Sequence, residues 1–331
     1  MKRVVALLAA ATCTAALAAC GGGAEPGALK RATLVLDFQP NAVHAGIYAA
    51  LKEGYYKDAG VDLTVQQPSS STDAPKLLEA GRAQFAILDI HDLAIAREHG
   101  FDVVGVMPIV QRPLASVIAQ GSVRRPRDLE GRTVGVTGLP SDDAVLDSIV
   151  SADGGDPATV HRVTIGFNAV AALAAGRVDA ATAFWNAEGV TLQRQGIATH
   201  TFRVDDYGAP RYPELVMVTT PAMIHADPNL VGAVVAATRG GYVIAAHQPG
   251  DALDDLVEAD PSLDRANQQA ELRALNAADA FRHPGQFNMP ALKAWASWES
   301  AHGIVKHPPD VRRMFVSQAR LRAAGESAPS D

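Results

Sequence analysis

Leu78-Glu79-Ala80-Gly81-Arg82-Ala83-Gln84-Phe85-Ala86 is echoed by Leu173-Ala174-Ala175-Gly176-Arg177-Val178-Asp179-Ala180-Ala181. Each stretch reads as a helix ending at glycine and a strand starting at once. The flanks repeat in the same order. Upstream of the first copy, Thr33–Asp37 predicts a strand, Phe38–Asn41 a loop, and Val43, Ile47, Ala50 and Leu51 the buried face of a helix. Gly54 and Gly60 precede a strand at Val61–Val65, and a polar loop, Pro68–Asp73, leads into a short helix with Pro75 near its first position. Upstream of the second copy come a strand at Thr133–Val136, a loop at Thr137–Asp142, a helix through Val145 and Ile149, Gly154-Gly155, and a strand at Val160–Ile165. Two copies of a βαβαβ unit imply an α/β protein with mostly parallel sheets.

Two extended apolar runs, Pro113–Ala119 and Glu214–Val218, stand where the chain must pass between the copies. With both as crossings, residues 33–119 and 213–322 form a discontinuous lobe I and residues 120–212 form lobe II. Two crossings make a hinge, and a ligand is expected in the cleft where loops at the carboxyl ends of the strands converge. In the carboxyl-terminal third, Ala233–Ala246, Ala266–Ala280 and Pro290–Ala301 predict helices, and Trp295 and Trp298, one turn apart, read as core packing. Residues 323–331 are expected to be a disordered tail.

The amino terminus carries a different signal. Met1-Lys2-Arg3, the alanine-rich run Val4–Ala19 and Cys20 outline a secretory leader. Leu17-Ala18-Ala19-Cys20 reads as a lipobox, so residues 1–19 are expected to be removed as a lipoprotein signal peptide and Cys20 to be acylated. Residues 20–32, opening on Gly21-Gly22-Gly23, then form a flexible tether. The expected location is the outer face of a bacterial cytoplasmic membrane, held by the lipid on Cys20. The apolar run is too short for a transmembrane span of about 20 residues. Cys13 and Cys20 are the only cysteines, so the folded body has none for disulfides, thiolate catalysis or thiolate metal sites. Loss of Lys2 and Arg3 leaves 27 basic against 36 acidic residues, a net charge near −9. That balance argues against nucleic acid as a partner.

Asp37-Phe38-Gln39-Pro40-Asn41-Ala42-Val43-His44-Ala45-Gly46-Ile47-Tyr48, Glu53-Gly54-Tyr55-Tyr56, Leu129-Glu130-Gly131-Arg132-Thr133-Val134-Gly135 and Phe184-Trp185-Asn186-Ala187-Glu188-Gly189 resemble the NMT1/THI5-like family. The likeness is to its thiamine-pyrimidine and riboflavin binding branch and covers most of residues 33–220. It implies a type II periplasmic-binding-protein fold, two βαβ-type lobes on a two-crossing hinge, capture of a small heteroaromatic vitamin precursor, and delivery to an ABC permease with its ATPase. Phe38 and Trp185 are the expected stacking faces. Gln39, Asn41, His44 and Glu188 are expected to supply polarity, with Asn41 equally fitted to cap the following helix. Ser70, Ser71, Thr137 and Ser141 precede helix amino termini, where hydroxyls and N–H groups suit a polar ligand group or a cap. Asp89, which also reads as a helix-start residue, and Asn168, after a strand read as Val163–Phe167, complete the expected set.

None of these positions is lysine or arginine, which favours a neutral or weakly cationic heterocycle over a sulfonate or nitrate, the anion-binding alternative. A pyrimidine precursor and riboflavin both satisfy the stacking and amide-type requirements. An enzyme of the same fold that synthesises the pyrimidine is the competing class; it is disfavoured because the cysteine-rich motif of such enzymes is missing. Asp89-Ile90-His91-Asp92 invites a metal reading, but one histidine among carboxylates is a weak ligand set. No metal, no cofactor and no catalytic residue is expected, and the body is expected to be a monomer.

Overall fold

In a computed structural model, residues 28–70 and 73–326 are described. The leader, Cys20, Ser71 and the last five residues of the expected tail lie outside them. Ten strands form two five-stranded sheets. The first contains β1 (Lys30–Val35), β2 (Val61–Gln66), β3 (Phe85–Asp89), β4 (Val104–Val110) and β10 (Leu215–Thr219), in the order β2-β1-β3-β10-β4. The second contains β5 (Ala115–Gln120), β6 (Thr133–Val136), β7 (His161–Thr164), β8 (Ala180–Phe184) and β9 (Thr199–Arg203), in the order β7-β6-β8-β5-β9.

The two orders are the same pattern. In each sheet the first strand of the unit pairs in parallel with the second and third, and an antiparallel strand then separates the third from the fourth. That antiparallel strand is the one the other unit donates: β5 follows lobe I strands into the second sheet, and β10 follows lobe II strands into the first. The runs read as crossings are thus strands themselves, and the chain passes between sheets in the short connections at 111–114 and 204–214. One antiparallel strand per sheet, within the mostly parallel arrangement expected, arises because a chain arriving from the other lobe enters at the opposite end.

The echoed segment shows why the units match. Gly81 and Gly176 both adopt left-handed backbone, with φ of 65° and 63°. Gly81 N–H bonds Leu78 O and Arg82 N–H bonds Leu77 O, while Gly176 and Arg177 bond Leu173 O and Ala172 O in the same way. This is the glycine-terminated helix end that reverses direction into a strand. The next polar side chain does the same work in both copies. Gln84 Oε1 accepts from Thr33 N at 2.9 Å, and Asp179 Oδ2 accepts from Thr133 N at 3.0 Å. Each fixes the start of the third strand beside the first.

The later helices Pro228–His247, Pro249–Ala259 and Arg265–Ala277 pack on one side of the first sheet, and Met289–Ala301 buries Leu292, Trp295 and Ala296 in a second core that also reaches the second sheet. Pro249–Ala259, not foreseen as a helix, buries Ala252, Leu253 and Leu256 while Asp251, Asp254 and Glu258 stay exposed. Pro228–His247 is apolar and 20 residues long, but half of it is buried in this packing. Trp295 and Trp298 are buried core residues. A final helix, Gln318–Glu326, with Leu321 buried, extends past the point where the sequence suggests disorder. Pro228–His247 lies close against the helix Ala45–Lys52, where Gly46 faces Tyr242 and Gly241 faces the Gly46 carbonyl.

Candidate ligand-binding site

The carboxyl ends of β1, β3, β6 and β8 face one another across the gap between the sheets. There they enclose a cavity of about 100 Å3. Asp37, Phe38, Asn41, Asp89, Asp92 and Leu215 line it from the first sheet's side. Leu139, Ser141, Asp142, Phe167, Phe184 and Glu188 line it from the second. Among the expected site residues, Phe38, Asn41, Asp89, Ser141 and Glu188 therefore converge. The Phe38 and Phe167 rings meet edge to face across the gap, with centroids 4.5 Å apart and planes at 73°.

Several expected contacts stand one layer back. His44 is fully buried; its Nδ1 accepts from Asn41 N at 3.3 Å, which leaves the proton on Nε2 to be donated to Asp37 Oδ1 at 2.9 Å. It positions a lining carboxylate without lining the cavity. Thr137 donates from N and Oγ1 to Asp142 Oδ2, at 2.7 and 2.6 Å, and does the same for the second lobe. Asn41 caps the turn Ala42–His44 through Val43 N at 2.9 Å, as one of its two readings had it, and it also lines the cavity. Ser70 bonds Asp73 at the start of the helix Asp73–Glu79, and Gln39 is exposed; neither lines the cavity. Asn168 donates to Ile165 O at 3.0 Å and is exposed.

Trp185 departs most from expectation. Its indole N–H donates to Pro113 O at 2.9 Å, in the first crossing, and the Arg203 guanidinium lies 4.2 Å from its ring centroid. Those contacts direct the ring to the hinge. The aromatic residue facing Phe38 is instead Phe167, in the loop after β7, where Gly166 has a φ of 55°. β7 ends at Thr164, so Phe167 is not part of a strand; the glycine at 166 is the sequence signal for this.

The carboxyl groups are the cavity's second character. Burial raises Asp142 and Glu188 from their ordinary carboxyl values and pushes Asp92 well up, and it pushes Asp89 well up with help from Glu214. Asp89 caps the helix Ile90–Glu98, accepting from His91 N at 2.7 Å, so its helix-start reading is also correct. Glu214 is fully buried and accepts from the Leu114 and Ala115 N–H groups, tying the second crossing to the first. Contact also runs between lobes, where Asn267 donates to Thr191 Oγ1 at 2.8 Å and the Phe38 and Phe167 rings touch. The lobes are closed on each other.

Asp89, His91 and Glu214 lie close enough to suggest a cation site. His91 Nδ1, however, is engaged by Glu299 and Nε2 by Tyr212 Oη at 2.9 Å. Both ring nitrogens are committed to protein partners. Burial acts to lower the His91 pKa, but Glu299, Asp89 and Glu214 outweigh it and hold it up, from 6.5 to about 10. Burial, with repulsion from Glu188, raises Glu271 from 4.5 to about 8. Both shifts are upward, so the sign is the same. His91 contributes stability fully present below its unfolded pKa and lost as pH rises through about 10. Glu271 likewise stabilises least once pH has risen through about 8. Urea unfolding at mildly acidic, neutral and alkaline pH should show the midpoint falling as pH rises; a midpoint that climbs toward alkaline pH would contradict these charge states.

A sequence model described as NMT1/THI5 like matches residues 41–252. The formylaminopyrimidine-binding protein of Halalkalibacterium halodurans is 32% identical over 302 residues, covering 88% of this chain and 91% of that protein. The 4-amino-5-hydroxymethyl-2-methylpyrimidine phosphate synthase of Legionella pneumophila is 25% identical over 238 residues, covering 70% of this chain and 75% of that one. Among solved structures, the alkanesulfonate-binding protein SsuA from Xanthomonas axonopodis pv. citri, bound to MOPS, superposes with a TM-score of 0.67. It shares 17% identity, over 89% of this chain and 100% of that one. This last likeness establishes the periplasmic-binding-protein fold.

Proposed function

The chain belongs to the NMT1/THI5-like family, and from that premise we propose that it is the solute-binding component of an ABC importer, capturing an aminopyrimidine-type thiamine precursor. The observation that carries this reading is the interlobe cavity, which has three phenyl rings, two of them (Phe38 and Phe167) in edge-to-face contact, five carboxyl groups and no lysine or arginine among its lining residues. Rings supply flat apolar contact for a heteroaromatic ligand. Carboxylates accept from exocyclic amino groups and ring N–H. A sulfonate or nitrate would find acceptor oxygens and no fixed positive charge there. The relative named a formylaminopyrimidine-binding protein, aligned along most of both chains, supports the same class of cargo.

Binding without chemical change is the reading for this chain, although family relatives are named synthases. The sequence has no cysteine after Cys20, so a route through a cysteine nucleophile is closed. Cavity carboxyls held by His44 and Thr137 are suited to orienting a ring. Thermal-shift and calorimetric titration with formylaminopyrimidine, hydroxymethylpyrimidine, thiamine, riboflavin and an alkanesulfonate tests the proposal. Saturable binding of a pyrimidine is expected, and stabilisation by the sulfonate alone would overturn it.

Phe38→Ala and Phe167→Ala are each expected to weaken pyrimidine binding by about 1–2 kcal/mol, roughly five- to thirtyfold. Trp185→Phe should change affinity far less, because its ring is spent on the hinge. A larger loss at Trp185 than at Phe167 would restore the stacking role to the tryptophan.

We also assign the protein to the outer face of a bacterial cytoplasmic membrane, anchored by acylated Cys20 and acting as a monomer beside its permease and ATPase. Cys20→Ser should move the protein from the membrane fraction to the soluble exported fraction and abolish incorporation of labelled fatty acid. Continued membrane retention of that variant would remove the anchor.

A further inference from the structure

We propose a second ligand site, for a small phosphate-class oxyanion, in a concavity beside the hinge and separate from the interlobe cavity. The concavity measures about 490 Å3. Gln111, from the first crossing, and Arg211 and Tyr212, from the second, form one wall. Arg282 and His283, on the loop between the helices Arg265–Ala277 and Met289–Ala301, form another. The chain carries a net charge of −7, yet here two arginines and a histidine share one hollow with a single acid, Asp279.

The two guanidinium groups are available. Arg211 and Arg282 are exposed, and neither has an ion-pair partner among the described residues. Arg282 Nε donates to His283 Nε2 at 3.2 Å, leaving its terminal nitrogens free for a ligand. Two guanidinium forks with an imidazole and the amides of Gln286 and Asn288 offer more donors than a carboxylate has oxygens. They suit a tetrahedral dianion.

The loop is pinned to the hinge. Gln111 Nε2 donates to the carbonyls of Arg282 and His283, both at 2.6 Å, and Gln111 N donates to Ala280 O at 2.7 Å. Asp279 and His283 are the two non-glycine residues with left-handed backbone among the described residues, at φ of 56° and 49°. Both fall on this loop and line this hollow. A bound oxyanion joins Arg211, on a crossing, to Arg282, on lobe I, and so holds the crossing in the arrangement seen with the lobes closed. From Tyr212 the link reaches His91 and then Asp89 in the interlobe cavity. Oxyanion and cleft ligand therefore favour each other's binding, and the coupling is reciprocal.

The test is calorimetric titration of the full chain with inorganic phosphate in a chloride buffer, with no cleft ligand present, so its result is independent of what the cleft takes. One saturable site is expected, weakened at least about tenfold in the double variant Arg211→Ala/Arg282→Ala. Arg177→Ala, an exposed arginine outside the hollow, should bind as the parent does. Absence of saturable binding at millimolar phosphate overturns the proposal, as does equal weakening by Arg177→Ala. Co-sedimentation with phosphatidylglycerol vesicles that depends on Arg211 and Arg282, without binding of free phosphate, assigns the hollow to a lipid headgroup and overturns the free-anion reading. Unchanged melting of the double variant shows that the loss is not one of folding.

Discussion

Gly241→Ala is expected to cost about 3 kcal/mol or more and to leave the protein poorly folded. A Cβ at Gly241 falls 1.8 Å from Gly46 O and 2.8 Å from both Ala50 N and Ala50 Cβ. These are atoms of a neighbouring helix's backbone and of its shortest side chain, which have no rotamer to retreat into. The helices Pro228–His247 and Ala45–Lys52 must then separate. Tyr242, whose Oη donates to Val43 O at 2.7 Å and whose ring fills the space over Gly46, goes with them. Because the loop bearing Phe38 and Asn41 enters that same helix, cleft binding should fall as well. Gly232→Ala is the matched control in the same long helix. Nothing lies within 4 Å of its added Cβ, and it should be neutral or stabilising by about 0.5–1 kcal/mol. Thermal melts of the two variants decide the matter, and equal melting temperatures would show that the helices have room.

Glu188→Gln is expected to weaken pyrimidine binding by about 1.5–3 kcal/mol, roughly ten- to a hundredfold, the range for a hydrogen bond to a charged group. The amide is nearly isosteric. Its oxygen can still accept from Phe184 N, as Glu188 Oε2 does at 3.0 Å, so the helix start survives while the ionic acceptor is lost. Glu188 sits in a buried setting that raises its pKa, so ligand that prefers the carboxylate should bind more weakly as pH falls through that raised value. Calorimetry should find the affinities of the parent and the Glu188→Gln variant converging at acid pH. An affinity unchanged by the substitution at neutral pH would take Glu188 out of the contact set.

The fold is legible in residues whose chemistry permits few alternatives. Gly81 and Gly176 require left-handed backbone, and Gln84 and Asp179 occupy the same place after them, so the duplication can be read without coordinates. Burial on both faces makes Pro113–Ala119 and Glu214–Val218 recognisable as extended, but pairing partners are non-local, and runs that read as connectors are central strands. In the site, Phe38, Asn41, Asp89, Ser141 and Glu188 stand out in the sequence because they fall at strand ends. His44 and Thr137 stand out for the wrong role, since sequence position does not reveal that a side chain spends its bonds on a neighbour. Trp185 misleads for a similar reason: an indole N–H near a crossing takes the free Pro113 carbonyl. Asp92 is noticed only in a metal reading and Asp142 not at all, because acids next to helix starts are ordinarily caps, and Asp37 is overlooked beside the aromatic that follows it.

The reciprocal placement of β5 and β10 has a genealogical consequence. Each repeat supplies four strands to its own sheet and lends a fifth to the other's. A half-length ancestor carrying one repeat would have lacked a strand between its third and fourth, and a second identical copy offers that strand while accepting one in return. Such a chain completes its sheets only as a swapped pair with twofold symmetry. With both copies in one chain, that exchange is made through the two connections, which Glu214 ties together.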